Sequence, residues 1–298
     1  MDLMDSPEAF TALGEFLRSR RARLTPADVG LVSYGARRVP GLRREELAQL
    51  AGVSVTYYTR LEQGHSANAS ASVIDAISRA LRLTDDEHAH LHDLAKPVPA
   101  KRRRTARPDH ARAGLVQLIG AMDTVPAVVL GRRNEVLAWN RLGHLLLAGH
   151  CDFDAPARPA DRPNLIRMLF LDPHTRELYP RRQEECRRAI AALRLIAGRH
   201  PDDTALAELI GELSMKSTEF AELWCEHPVH NCMTGTKQFQ HPELGALTLQ
   251  FEALHLPDGS GQRLMTYTAA PGSPSEAALT LLASLGGVLN AEEQLSGG

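Results

Sequence analysis

Val55, Thr56, Tyr57, Thr59, Arg60 and Gln63 recur at spacings that place them together on one side of a short helix, with Arg43 and Arg44 just upstream. Hydroxyls, a guanidinium and an amide grouped in this way can hydrogen-bond base edges and phosphate oxygens. A second group, Cys225, His227, His230 and Cys232 with His241 nearby, gathers thiol and imidazole ligands in one stretch. Zinc sites favour such donors, but the paired Cys-x-x-Cys spacing is absent. His227 and His241 each precede a proline, which suits turns. No metal ligand and no cofactor is therefore expected, and a metal- or redox-responsive role for the four residues stands as the alternative. Glu184-Glu185 and Asp202-Asp203 pair carboxylates, the first in a charged helix and the second at a helix start. Both read as solvated or capping residues. With no Gly-rich phosphate loop, no Gly-x-Ser-x-Gly and no His-Glu-x-x-His, the chain does not read as an enzyme.

The elements that present the first group run from Arg44 to Gln63, REELAQLAGVSVTYYTRLEQ. Leu47, Ala48, Leu50 and Ala51 predict a short helix with one apolar face. Gly52 breaks it, because a residue without Cβ takes the left-handed conformation that a tight turn needs. Ser54 is placed to N-cap a second helix. Tyr58 and Leu61 then face Leu47, Ala51 and Val53, and Ala48 sits at the helix crossing. This is the pattern of a helix–turn–helix, whose second helix turns its polar side to the DNA major groove.

Flanking segments supply a frame. Phe10, Leu13, Leu17 and Leu24 form a stripe on a first helix, with Arg18, Arg20, Arg21 and Arg23 mostly off it. Ser72–Leu83 repeats the helical period, and Thr84 caps a last helix whose first turn is acidic. Five short helices make a domain near the lower limit of independent stability. From Arg18 to Arg60 nine arginines stand against Asp28, Glu45 and Glu46, although the whole chain is only −2. Phosphate contacts need such concentrated positive charge. Arg outnumbers Lys thirty to four, so part of this charge is background composition.

EELAQLAGVS followed by YYTRLEQG resembles the DNA-binding domain of the XRE family, the Cro and phage-repressor type, over roughly residues 10–95. The resemblance implies base-edge contacts by Val55, Thr56, Thr59 and Arg60, and phosphate contacts by Arg43, Arg44, Tyr57 and Gln63. It departs from the family in the long segment TPADVGLVSYGARRVPGL. Arg37 and Arg38 there suit either a DNA contact or a solvated loop.

Length allows two domains. No apolar run approaches a membrane span, the N-terminus lacks the order of a signal peptide, and four scattered Cys suit reduced thiols, so a cytoplasmic protein is expected. Lys96-Pro97-Val98-Pro99 ends the helical domain, and Lys101-Arg102-Arg103-Arg104 forms a basic linker, either touching phosphates or serving as a hinge. Beyond residue 107 the balance turns acidic, 18 basic residues against 23, which argues against a second nucleic-acid binder.

Ala127–Asn140 reads as two short strands around a turn, and a helical middle follows. Gly235–His241, Leu247–Leu256 and Arg263–Ala270 read as three strands, and a capped helix begins at Ser273-Pro274. Two strands, a helical insert and three strands is the order of a PAS-like fold. VLGRRNEVLAWN, NLIRMLFLDPHTRELY, FAELWCEHPVH and GTKQFQHPELGALTL resemble the MmyB-like ligand-binding domain of bacterial transcription regulators, which follows an XRE-type helix–turn–helix. That resemblance implies a pocket for a small hydrophobic, fatty-acid-like effector. By residue type, Trp139, Leu165, Met168, Phe170, Trp224, Phe251 and Tyr267 are candidates for its walls, with Arg167 or His255 as anchor.

The expected architecture is thus an all-α helix–turn–helix domain (1–96), a basic linker (97–106) and an α+β PAS-like domain (107–298). The expected partners are a double-stranded DNA operator, a small effector and a second copy of the chain, with no membrane.

Overall fold

The computed structural model describes residues 12–31, 39, 41–64, 69–96, 110–230 and 233–296, with side chains to 285. Phe10, Arg37, Arg38, the basic linker and Cys232 lie outside the described residues. The chain forms two compact units. The first comprises Met1–Arg102, Ala191–Thr204 and Trp224–Asn231; the second comprises Arg103–Ile190, Ala205–Leu223 and Cys232–Gly298.

The first unit is built on α1 (Ala12–Arg23), α2 (Arg44–Ala51), α3 (Val55–Glu62), α4 (Ala71–Ala80) and α5 (Asp85–Ala95). Gly52 adopts φ 67°, and the Val53 N–H reaches back to the Ala48 carbonyl at 3.0 Å, closing the turn after α2. Ser54 Oγ accepts the Tyr57 N–H at 3.1 Å and starts α3. Ser70 caps α4, which begins one residue before the periodic segment that starts at Ser72. Thr84 and Glu87 make a reciprocal capping box on α5. Leu13, Phe16, Leu17, Leu42, Leu47, Ala48, Tyr58, Leu61, Ile74, Ile77 and Leu91 pack into one core. Leu50, expected on the buried side of α2, is exposed instead, whereas Val53 packs against the core.

In the second unit α6 (Ala113–Gly120) precedes β1 (Ala127–Leu130) and β2 (Val136–Trp139). The helical middle of the chain comprises α7 (Arg141–Ala148), α8 (Leu165–Leu171), α9 (Pro173–Leu178), α10 (Arg182–Arg199), α11 (Thr204–Lys216) and α12 (Thr218–Cys225), of which α10 from Ala191 and the end of α12 from Trp224 belong to the first unit. Then follow β3 (Thr234–His241), β4 (Gly245–His255), β5 (Arg263–Thr268) and α13 (Pro274–Ser296). The five strands form one antiparallel sheet in the order β2-β1-β5-β4-β3. This is the α+β architecture expected, with strand ends within two residues of the pattern-based limits.

Burial explains why the sheet settles in this register. Along β4, Leu247, Leu249, Phe251 and Ala253 are buried while their neighbours are not, the period-two pattern of a strand with one covered face. They pack with Leu142 and Leu146 of α7 and Leu279 and Leu282 of α13. β1 is covered on both faces: Val128 and Leu130 join that cluster, while Ala127 and Val129 pack with Ile119 of α6. Asn140 locks the corner, its Oδ1 accepting the Ala127 and Gly143 N–H groups and its Nδ2 donating to Met122 and Val125 carbonyls.

Candidate functional site

The buried side of α3 fixes its outward side. Tyr58, Leu61 and Glu62 are inaccessible, at i, i+3 and i+4. On the opposite side Ser54, Val55, Thr56 and Arg60 are exposed, and Tyr57, Thr59 and Gln63 are half-buried. The face predicted from spacing is therefore assembled on one helix. Arg43 is exposed just before α2, and its backbone N–H donates to Glu46 Oε2 at 2.6 Å.

Glu62 is the residue that sequence reading missed. Its carboxylate is wholly buried and receives Arg21 Nε and Arg44 Nε, each at 2.7 Å. Burial alone would raise its pKa, but hydrogen bonds from Arg21 and Arg44 overcome that and hold it below the ordinary carboxylate range. Arg21 also donates to the Leu42 carbonyl at 2.6 Å. One carboxylate thus ties α1, the start of α2 and the end of α3 together. Arg44 is shared between that task and solvent, since 38 % of its side chain stays exposed. The missed signal was the period itself, which puts a charged residue on the buried side of α3.

Arg20, also placed off the core by the pattern, is buried. Its guanidinium pairs with Glu87 at 2.8 Å, stacks over Phe16 and donates to the His227 carbonyl at 2.7 Å within the same unit. That carbonyl belongs to the Cys/His group considered as metal ligands. Cys225 is exposed, and His230 Nδ1 pairs with Asp86 at 3.2 Å. Among the described residues, Cys225, His227 and His230 do not converge on a common point.

The effector candidates separate. Trp139, Met168, Phe251 and Tyr267 share the main core of the second unit, with Leu165 packed against it. Trp139 Nε1 donates to the Phe153 carbonyl at 2.8 Å. Phe170 meets Phe220 edge-on at 5.1 Å between ring centroids. Trp224 lies in the first unit under the guanidinium of Arg194, and His255 is exposed at the end of β4. Arg167 and Met168 line a cavity of about 340 Å³ together with Cys151, Ala155, Arg158 and Arg162. Arg158 pairs with Asp152 and Asp161, and Arg167 with Glu212. The cavity thus combines apolar walls with guanidinium groups, at the lower end of the size range of small-molecule sites. Of these groups Arg158 and Arg167 are paired to carboxylates, and two of those carboxylates, Asp152 and Asp161, also line it.

A polar helix face held outward by a helix–turn–helix, followed by an α+β domain with a cavity, defines a DNA-binding transcription regulator with a ligand-binding domain. Residues 12–91 match the family model of a helix-turn-helix domain. Residues 111–282 match that of the MmyB-like transcription regulator ligand binding domain, and the chain belongs to this family. No curated protein matches it. No described helix is long and apolar enough to cross a membrane.

Proposed function

We propose that the chain binds a specific operator as a homodimer in the cytoplasm and that a small hydrophobic effector in the second domain controls this binding. The domains act as 1–96 for DNA, 97–106 as linker and 107–298 for the effector. Val55, Thr56, Thr59 and Arg60 read base edges, Ser54 positions the helix, and Arg43, Arg44, Tyr57 and Gln63 hold phosphates. The supporting observation is the division of α3 into a core-packed side and an open polar side. One such helix reads only a few base pairs, so two copies on half-sites about 34 Å apart, or a multiple of it, supply the specificity. The effector, with an acidic head and apolar body, sits in the cavity at Arg167 and Met168. It shifts operator affinity only by the ratio of its affinities for the two arrangements of the dimer.

The test begins by selecting preferred duplexes from a random library with the wild-type chain. Arg60→Ala is then expected to lose about 1–3 kcal/mol on the selected site and much less on random DNA. An equal loss on both would reassign Arg60 to phosphate contact. Failure to enrich any sequence would remove the operator-binding proposal.

A further inference from the structure

The first unit carries a side-chain cluster that the proposed DNA contacts do not use. His88 and His92 stand one turn apart on α5, so their imidazoles share a side. Packing of α4 beside α5 brings Asp75 Oδ1 to 2.9 Å from His88 Nε2 and 2.8 Å from His92 Nε2. The two Nε2 atoms are 3.0 Å from each other. Three potential ligand atoms therefore form a nearly equilateral triangle.

Hydrogen bonds satisfy this triangle in one arrangement only, with both Nε2–H groups donating to Oδ1. Each Nε2 carries at most one proton. In that arrangement the two N–H dipoles converge on one oxygen with their nitrogens only 3.0 Å apart, which is crowded. With either bare, its lone pair faces the carboxylate oxygen. A cation bound by the three atoms through their lone pairs would remove that crowding. In a tetrahedral site with bonds of about 2.0–2.1 Å, ligand atoms stand roughly 3.3 Å apart, so the triangle needs to open by only a few tenths of an ångström. The side chains are 42 % (His88), 40 % (Asp75) and 31 % (His92) exposed, which leaves a solvent side for a fourth, water ligand.

Among the described residues a second group, His150, Asp172 and His174 in the second unit, also gathers, but its imidazoles reach different oxygens, His150 Nε2 standing 2.8 Å from Oδ2 and His174 Nδ1 3.3 Å from Oδ1. Asp172 Oδ1 already accepts the His174 backbone N–H, and Oδ2 accepts the Thr175 hydroxyl. The two imidazoles stack in parallel at 4.4 Å instead of aiming at one point.

We propose that Asp75, His88 and His92 bind a divalent transition-metal ion of the zinc type, joining α4 to α5 in the DNA-binding unit. Two imidazoles and a carboxylate suit zinc and its neighbours far better than calcium or magnesium. The proposal does not depend on the operator or the effector.

Untagged full-length protein, stripped with EDTA and titrated with zinc chloride, is expected to bind zinc at this site. Bound zinc should protect His88 and His92 of the wild-type chain from diethyl pyrocarbonate, a readout that needs no variant. His92→Gln and Asp75→Asn should each weaken uptake by at least about tenfold. His150→Gln should leave it unchanged. The proposal is overturned if zinc fails to protect the two histidines, if both variants bind as the wild type does, or if uptake disappears in His150→Gln.

Discussion

The outward side of α3 and the inner face of the second unit's sheet use residues in opposite ways. On α3 most of the proposed DNA contacts are polar and exposed or half-buried, although Tyr57 also packs against the core, so a candidate is told from core by exposure and type. On the sheet, Trp139, Phe251 and Tyr267 are apolar and buried, and nothing in their type separates a pocket wall from packing. A site built on a local motif is legible from spacing. A site built inside a sheet domain is not, because its lining and its core draw on the same amino acids.

The largest effect expected from this contrast comes from Gly14, which positions α3, rather than from the face proposed to read DNA. A Cβ on Gly14 would stand 2.0 Å from the Glu62 carbonyl oxygen, a backbone atom that cannot rotate aside. Ala in place of Gly favours a helix interior by about 1 kcal/mol. Forcing α1 from α3 costs about 3 kcal/mol, so the clash wins. Gly14→Ala is expected to lower the stability of the first unit by about 2 kcal/mol and to weaken binding on selected and random duplexes alike. Chemical denaturation and titration of both duplexes check this. Unchanged stability would mean that α3 is not held by this close approach.

A pH-dependent effect of similar size should also belong to the first unit. His90 is 2 % exposed, and burial, then the positive charges of Arg194 and Arg20, push its pKa down from 6.5 to about 4, against Asp93. His227 shifts to about 4 for the same reasons, burial first. Between those limits the unfolded chain binds protons that the folded chain refuses. The stabilisation is complete above pH 6.5 and is lost as pH falls toward 4. For His90 alone the loss from pH 7 to pH 5 is about 2 kcal/mol. Unfolding measured across that range should flatten in His90→Leu. An unaltered slope would show that His90 takes up its proton in the folded state.

How much of this was legible follows from the range of the interactions. The Gly52 turn, the Ser54 and Thr84 caps and the apolar side of α3 lie within a few residues of the groups they act on. Each was readable, as was the two-strand, insert, three-strand order. The strand order β2-β1-β5-β4-β3 rests on pairings across more than a hundred residues, such as Val128 with Met265, and no local pattern specifies them. Glu62 was missed and Arg20 set mostly off the core because a buried charge needs partners from distant helices, Arg21 and Arg44 for one and Glu87 for the other. The spacing of His88 and His92 was visible, but its meaning depends on Asp75, which only the packing of α4 on α5 supplies.

The smallest effect bears on the sheet side of the comparison. Trp139 does not line the cavity, is 6 % exposed and has its Nε1 committed to the Phe153 carbonyl. Trp139→Phe should therefore act as a packing change. It leaves that carbonyl short of a donor and opens a small void, together about 1–2 kcal/mol of stability. Affinity for a fatty-acid probe should not move. Arg167→Gln should do the reverse: its partner Glu212 is only partly buried, so stability changes by less than about 1 kcal/mol, while affinity for the probe's carboxylate falls. Thermal unfolding of the free protein and calorimetric titration with the probe separate the two. If Trp139→Phe lowers affinity at constant stability, the effector reaches deeper into the sheet than the cavity at Met168, and the inner face must be counted as a site after all.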